Sequence, residues 1–459
     1  MGRRTPEDTI AAIATPPGEG GIGIVRLSGS ASILIVHSIF ASSRGSDIRA
    51  ARGRVFHGTI RDARGAIDEV LVHVMRGPHS YTTEDVVEIN CHGGAAPLRS
   101  VLELALKQGA RLAESGEFTK RAFLNGRIDL VQAEAVIDRI QARTDAALRA
   151  ASAAADGVLS KTIHELNEVL VEALARVESA IDFPDDDLPE LVDAALRSRL
   201  EAALERMREL LSTAEAGRLY REGASVAIVG RPNVGKSSLF NALLRDARAI
   251  VTAVPGTTRD LLEEVITISG VPVRLSDTAG LHATDDEVER IGIGRARAAL
   301  ANADAILLVV DATQPAGDED RALAQEVFAL ARPLIIVLNK IDLVTAVAAA
   351  THVDGARPAC KVSAKTGDGL KELEAEMGAL LLGGGRVSPD QGLITRVHQR
   401  DSLRRAADAL ERLLQNYGAS PEFLSIDLRD ALDALGEITG ETTPEDILAR
   451  IFSSFCIGK

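Results

Sequence analysis

Tryptophan is absent from these 459 residues, aromatic residues make up only 3%, and cysteine occurs three times, at Cys91, Cys360 and Cys456. With so few rings the interior must be built from Ala, Leu, Val and Ile, a composition that leans helical. Three cysteines so far apart supply neither a disulfide framework nor a C-x-x-C metal pair. They fit a reducing compartment, so a cytoplasmic protein is expected. Basic charge is also short: 52 Lys and Arg against 66 Asp and Glu leave a formal net charge of −14. This excludes a broadly basic nucleic-acid binder and confines any RNA contact to a local patch. No apolar run approaches the roughly 20 residues of a membrane span. The run at residues 10–14 is too short for a signal sequence and stops at Pro16-Pro17, while Pro6 stands where a myristoylation signal needs Ser or Thr. The expectation is a soluble, unexported protein with no membrane partner, built from about three domains because one core cannot serve this length.

Residues 1–122 carry β-rich runs at 22–27, 54–60, 69–75 and 86–91 and one helical run near 98–108, which reads as an α/β domain. Gly18-Glu-Gly20-Gly-Ile-Gly23 satisfies G-x-G-x-x-G, but Pro16-Pro17 precedes it and a β-rich run follows. The dinucleotide motif needs a strand before and a helix after, so a tight turn is expected instead. Residues 80–85 and 91–94 read as loops, with His92 an ordinary loop histidine. Residues 123–219 are Ala-rich and helical, with stripes such as Leu196, Leu200, Leu204, Met207 and Leu211. The acidic run 182–187 between two such stripes contains Pro184 and reads as a helix break rather than a metal site. Residues 220–382 alternate apolar strands and helices, the pattern of a mostly parallel sheet covered on both faces. After Gly383-Gly-Gly385, residues 383–459 are helical again, so the α/β unit is expected to loop out of one helical domain.

The inserted unit opens on a short strand, then Gly230-Arg-Pro-Asn-Val-Gly-Lys-Ser237, then an apolar-periodic helix. The spacing G-x-x-x-x-G-K-S in that context is a phosphate loop, whose backbone N–H groups and helix N-terminus cradle phosphates. Lys236 is placed to reach the β- and γ-phosphates and Ser237 to face Mg²⁺. Asn339-Lys-Ile-Asp342 selects the base: a carboxylate at Asp342 accepts from guanine N1–H and the 2-amino group together, whereas adenine would leave it desolvated and unpaired. Such a site rejects the wrong analogue by about 10⁴ to 10⁵. Ser363-Ala364-Lys365 adds a backbone N–H for guanine O6, and Asp277-Thr-Ala-Gly280 reads as the Mg²⁺ and γ-phosphate sensor. GTP is therefore the expected nucleotide.

Leu281 follows that sensor where many GTPases place a water-orienting Gln, and an apolar side chain cannot orient water. The acidic run Asp285-Asp-Glu-Val-Glu289 is the nearest substitute, with Glu289 the candidate catalytic residue. An arginine finger contributes about 10³ to 10⁵ in rate in related chemistry. Asn233 offers a carbonyl oxygen inside the phosphate loop instead, so a potassium ion is a candidate replacement. Pro255-Gly-Thr-Thr-Arg-Asp260 is the candidate first switch, with Thr258 closing on Mg²⁺.

These residues look like the translation-factor-related class of GTPases. The chain ends in Phe452-Ser-Ser-Phe-Cys-Ile-Gly-Lys459 and begins with Ala14-Thr-Pro-Pro-Gly18, Gly20-Gly-Ile-Gly-Ile-Val-Arg-Leu-Ser-Gly29 and Ala122-Phe-Leu-Asn125. With these, the whole chain closely resembles the MnmE (TrmE) family of tRNA modification GTPases. The resemblance implies a homodimer whose N-terminal domains bind a 5-formyl- or methylene-tetrahydrofolate derivative, and G domains that pair across GTP with K⁺ and Mg²⁺. It also implies an FAD-containing MnmG-type partner and tRNA wobble uridine (U34) as the modified base. The implied folate residues are Arg26, Glu88, Arg127 and Lys459; the implied potassium ligands are Asn233, Thr252, Val254 and Thr257. Ser237 and Thr258 would hold magnesium, and Val234, Gly235, Ser238, Lys340 and Lys365 complete the nucleotide contacts. The family often has Lys where this chain has Arg127, which keeps the charge but not the geometry. Cys456 is a candidate catalytic thiol beside Lys459, with a packed C-terminal cysteine as the plain alternative. A GTP-switched ribosomal RNA assembly factor is the rival class, but its basic RNA-binding appendage is missing.

Overall fold

The structure, a computed structural model, describes residues 8–50, 53–183, 193–246, 265–277, 300–344, 359–384, 387–416, 418 and 420–459. The chain divides into two compact units, one of residues 1–137, 163–184 and 419–459 and the other of residues 138–162 and 185–418.

The first unit is organised on a seven-stranded sheet. Its strands are β1 (Ile10–Ile13), β2 (Gly20–Ser28), β3 (Phe40–Ser42), β4 (Arg54–Asp62), β5 (Gly65–Met75), β6 (Val86–Gly93) and β7 (Arg111–Leu112), in spatial order β3-β4-β5-β6-β2-β1-β7. Alternate residues Val25, Leu27, Val70, Val72, Val74, Val87 and Ile89 are buried, the period of two that covers one sheet face with apolar groups. Helices α1 (Ser32–Ile39) and α2 (Ala95–Lys107) supply Ile33, Val36, Leu98 and Val101 to the same core. Two expectations change here. Cys91, His92 and Gly93 belong to β6 rather than a loop, because Gly23 pairs with Cys91 and Gly20 with Gly93 across the ladder. The Gly20–Gly23 run is likewise strand, with a register shift, and a β-carbon on Gly23 would lie 2.5 Å from Leu98. Gly23 thus serves close packing of sheet on helix, whereas a β-carbon on Gly20 or Gly21 would meet nothing within 4 Å.

Helices α3 (Glu117–Leu124) and α4 (Leu130–Gln141) follow, and the C-terminal helices of the same unit are described below. Within the first unit the chain's end returns to its beginning. Ile457 bridges Ser115, and Gly458, at φ 91, sits so close to β1 that a β-carbon there would lie 2.4 Å from the Ile13 carbonyl. Phe452 and Phe455, with ring centroids 5.5 Å apart, pack with Leu130, Ala133 and Phe123. Beneath them Arg121 is 1% exposed and pairs with Asp8 at 2.6 Å, Glu117 at 3.0 Å and Glu84 at 3.2 Å.

The second unit contains α5 (Asp145–Ala155), α7 (Ala194–Ser212) and α8 (Ala214–Glu222), while α6 (Val158–Asp182) begins in it. A six-stranded sheet follows: β8 (Ala224–Val229), β9 (Val265–Ile268), β10 (Val271–Asp277), β11 (Ala305–Asp311), β12 (Leu334–Asn339) and β13 (Ala359–Lys361), in order β13-β12-β11-β8-β10-β9. All neighbours are parallel except β9 against β10, a short hairpin that the sequence pattern did not announce. Every residue of β11 is buried, as expected for a strand covered on both faces. Helices α9 (Lys236–Asp246), α10 (Asp318–Ala329) and α11 (Leu370–Leu381) complete the α/β part. Helix α12 (Val397–Gln415) packs against α7, with Arg208 and Glu411 paired at 3.2 Å, so chain on either side of the α/β insert meets within this unit. The last helices, α13 (Pro421–Thr439) and α14 (Glu445–Ser453), lie in the first unit.

Arg121→Met should destabilise the N-terminal unit by about 3–5 kcal/mol, because it strands buried carboxylates rather than replacing the whole network. Denaturant unfolding followed by a probe in the N-terminal sheet checks this. Burial works to raise the carboxyls of Asp8 and Glu117, but the guanidinium groups of Arg111 and Arg121 hold both below their ordinary values. Their contribution is therefore complete above a pH of about 5 and is lost as pH falls through the lowered values. Wild type should show that acid loss, and the Met variant a shallower one.

Candidate active site

Strand β8 delivers the chain to Gly230, and α9 begins at Lys236. A β-carbon on Gly230 would lie 2.4 Å from the Val309 carbonyl, and one on Gly235, at φ 95, would lie 2.3 Å from Asn339 Nδ2. Neither neighbour can retreat, so both positions require glycine. Between them Asn233 adopts φ 66, a left-handed conformation that Asn tolerates better than most residues. Val234 is buried, whereas Asn233, Ser237 and Ser238 are exposed. The first turn of α9 has N–H groups without intrahelical acceptors, the property that makes such a terminus an anion site. Lys236 folds back over the loop, its Nζ donating to the carbonyls of Gly230 and Arg231, both at 2.8 Å. Arg231 is itself held by Asp320 at 2.6 Å.

The Asn339-Lys-Ile-Asp342 and Ser363-Ala364-Lys365 segments come to the same end of the sheet. Asn339 ends β12 and is 2% exposed. Its Nδ2 donates to the Val234 carbonyl at 3.0 Å, and its Oδ1 accepts from the Ala364 backbone N–H at 3.0 Å. Asn339 thus ties the phosphate loop to the Ser363-Ala364-Lys365 loop. Lys340, at φ 69, donates from Nζ to the Asn233 carbonyl and to Asp311 Oδ2, both at 2.6 Å. Buried Ser363 donates to Asp342 Oδ1 at 2.7 Å, so one carboxylate oxygen of exposed Asp342 is fixed by the loop that also carries Ala364. Lys365 is exposed beside them. Asp277 ends β10, where its backbone partners Ile228 of β8. Gly280, Leu281 and Glu289 lie outside the described residues, as do Thr252, Val254, Thr257 and Thr258.

In the first unit Arg26 and Glu88 are cross-strand partners on β2 and β6, joined at 2.8 Å. Arg26 also donates to the Gly458 carbonyl at 3.1 Å and lies over the Phe118 ring, 5.6 Å from its centroid. Phe118 packs with Tyr81, and Arg127 lies over the Tyr81 ring at 4.9 Å while donating to the Tyr81 carbonyl at 2.7 Å. Arg26 and Arg127 thus each lie over a ring of one apolar cluster, with Glu88 paired to Arg26 and Lys459 next in sequence to Gly458. Tyr81 and Phe118 escaped the sequence reading, because nothing local distinguishes them from packing residues. Cys456 is exposed, and its carbonyl accepts from Gly116 N at 3.4 Å and Lys459 N at 3.3 Å. Cys91 is buried, and burial first, then Asp68, pushes its thiol up to about 12, which keeps it protonated.

Two family models match, "GTP-binding protein TrmE N-terminus" over residues 9–127 and "MnmE helical domain" over residues 130–456. The "tRNA modification GTPase MnmE" of Moorella thermoacetica is 49% identical over 464 residues, covering 99% of this chain and 100% of that protein. The chain belongs to the MnmE family. Proteins of the same description from Geobacter sulfurreducens and Roseiflexus sp. are each 48% identical, and each match covers 99% of this chain and 99% of the relative. An MnmE-family chain is thus matched from its β-rich start to the Cys-Ile-Gly-Lys end, and the two helical stretches around the α/β insert fall inside one family match.

The two Asn-Lys-x-Asp polar residues should separate on substitution. Asn339→Ala leaves the Val234 carbonyl and the Ala364 N–H unpaired, so guanine and xanthine nucleotides should both weaken by about 10- to 100-fold. Asp342→Asn should instead exchange preference from GTP toward xanthosine triphosphate. Competition binding with a fluorescent guanine nucleotide measures both, and unchanged selectivity in Asp342→Asn would count against the base assignment.

Proposed function

We propose that this chain, a tRNA modification GTPase by family, is a potassium-activated GTP hydrolase. It works as a cytoplasmic homodimer with an FAD-containing MnmG-type partner. Together they place an aminomethyl or carboxymethylaminomethyl group on carbon 5 of the wobble uridine of tRNA, taking the one-carbon unit from a tetrahydrofolate derivative. The observation that carries the nucleotide half is the Asn339 bridge, which gathers phosphate loop and base loop at one end of a parallel sheet. Among the described residues no helix is long and apolar enough to cross a membrane. We divide the chain as residues 1–122 for folate and dimerisation, 123–219 and 383–459 for the helical domain, and 220–382 for the G domain.

In this reading Lys236 leaves its loop carbonyls for the β- and γ-phosphates, and the loop N–H groups of Gly235, Lys236, Ser237 and Ser238 meet the remaining phosphate oxygens. Ser237 and Thr258 would hold Mg²⁺, and Asp277 and Gly280 would sense the γ-phosphate. The donor chemistry at Asn233 fits potassium: an exposed amide offers a neutral oxygen, and no described residue engages that side chain. Asn233, Thr252, Val254 and Thr257 would hold the ion, which supplies positive charge near the β–γ bridge in place of an arginine. Glu289 would orient the attacking water. The residues of the N-terminal unit fit a folate: Glu88 offers a carboxylate acceptor to a pterin's N–H edge. Arg26, Arg127 and Lys459 supply charge for its carboxylates, and Phe118 and Tyr81 give an apolar flank. Cys456, exposed four residues from the chain's end, is the nucleophile candidate there.

GTP hydrolysis by the full chain should run at least about tenfold faster in K⁺ than in Na⁺ at equal ionic strength, and equal rates would reject the potassium reading. Glu289→Ala should retain GTP binding and lose about 10² to 10³ in hydrolysis. For the N-terminal unit, 5-formyltetrahydrofolate binding measured by calorimetry should disappear in Arg26→Ala and persist in Cys456→Ser. If Cys456→Ser also modifies tRNA normally in the presence of partner, folate, GTP and potassium, the thiol has no part in the chemistry.

A further inference from the structure

Asp311 ends β11, and the parallel register sets it opposite Asn339 of β12, one residue before Lys340. Its Oδ2 accepts from Lys340 Nζ at 2.6 Å. Its Oδ1 accepts from the Thr313 backbone N–H at 2.9 Å and the Thr313 hydroxyl at 2.6 Å. The same Lys340 ammonium donates to the Asn233 carbonyl at 2.6 Å. A line of hydrogen bonds therefore runs from Thr313 through Asp311 and Lys340 to the apex of the phosphate loop.

Two physical consequences follow for Asn233. Lysine carries its charge on a stem with four rotatable bonds, so an ammonium held at one carbonyl needs a second anchor to stay there. Asp311 is that anchor, and Thr313 fixes its carboxylate. The second consequence is electrostatic. An ammonium 2.6 Å from the backbone oxygen of Asn233 would repel any cation gathered by the same residue unless a nearby anion cancels it. Asp311, 11% exposed at its side chain, supplies that charge. Burial works to raise its carboxyl, but Lys340 and Thr313 hold it below the ordinary value, so it is ionised at neutral pH.

We propose that Asp311 is a positioning residue for the monovalent cation: acting through Lys340, it fixes Asn233 of the phosphate loop and neutralises the ammonium beside it. The inference rests on the potassium reading above. Its test is a potassium titration of the full chain carrying a fluorescent, non-hydrolysable GTP analogue, with sodium holding ionic strength constant and hydrolysis followed in parallel. Asp311→Asn keeps the shape and removes the charge, and should raise the half-saturating K⁺ concentration about tenfold. Asp311→Glu should recover most of the loss. Thr313→Val, at an exposed position, should shift the titration in the same direction by about two- to threefold, and decides the matter if Asp311→Asn does not fold. Weaker analogue binding with half-saturating K⁺ unchanged in these variants overturns the inference while leaving the potassium reading intact. If wild type itself shows no difference between K⁺ and Na⁺, the potassium reading fails and the inference falls with it.

Discussion

The nucleotide end of the α/β unit depends on one buried amide. Asn339 is held by two hydrogen bonds, to the Val234 carbonyl and from the Ala364 N–H, and so joins the loops that carry those backbone groups. Parallel strands make the arrangement possible, since β8, β11, β12 and β13 all end on the same side and release their loops together. Glycine at position 235 is a condition of it, because a β-carbon would occupy the space of the amide itself. Each hydrogen bond contributes about 0.5–1.5 kcal/mol net, but an unpaired buried partner costs more than the bond returned. The two loops are therefore held to each other by contacts within the protein itself.

A comparable economy governs the first unit. The buried Arg121 guanidinium lies among Asp8, Glu84 and Glu117, joining the start of β1, the turn before β6 and helix α3. Ser28 donates to Glu84 at 2.6 Å, and Asn125 donates to the Thr82 carbonyl at 2.6 Å. Those bonds fix the segment that carries Tyr81. The C-terminal residues then dock on β1, and the Gly458 carbonyl takes a hydrogen bond from Arg26. A residue with a side chain at 458 could not approach Ile13 so closely, so the glycine before Lys459 is required by packing and not only by the family's pattern.

How much was readable depends on whether the information is local. The phosphate loop, Asn339-Lys-Ile-Asp342 and the alternation of strands and helices are short motifs in fixed context, and the α/β unit followed from them. Asn339 is legible as part of the Asn-Lys-x-Asp motif, but its hydrogen bonds to the Val234 carbonyl and the Ala364 N–H are a property of the folded loops. Cys91-His-Gly-Gly94 carried a turn signal, yet cross-strand partners at Gly20 and Gly23 draw its first three residues into β6. Tertiary pairing overrides local preference there. Tyr81 and Phe118 gave no signal, because an aromatic residue beside a β-rich run is ordinary core until Arg26 and Arg127 are seen over the rings. The pairing of Asp311 with Lys340 was invisible for the same reason: it is a property of strand register.

The β9–β10 hairpin adds a mechanical constraint that motifs do not express. Strand β10 ends at Asp277, and at its other end the turn Ser269-Gly270 is held from helical chain of the same unit. Thr144 accepts from Ala147 N at 3.1 Å as the N-cap of α5, and its hydroxyl donates to the Gly270 carbonyl at 2.7 Å. Ala146 stands where a β-carbon on Gly270 would come within 2.7 Å, and on the other side Ser269 packs as closely on Gly378 of α11. Extended strands resist compression along their axis, since each peptide is planar and the ladder to β8 fixes the register. The hairpin turn at the other end of β10 is therefore anchored on the N-terminus of α5. The end of β10 at Asp277 and the N-terminus of α5 thus lie at opposite ends of one extended element.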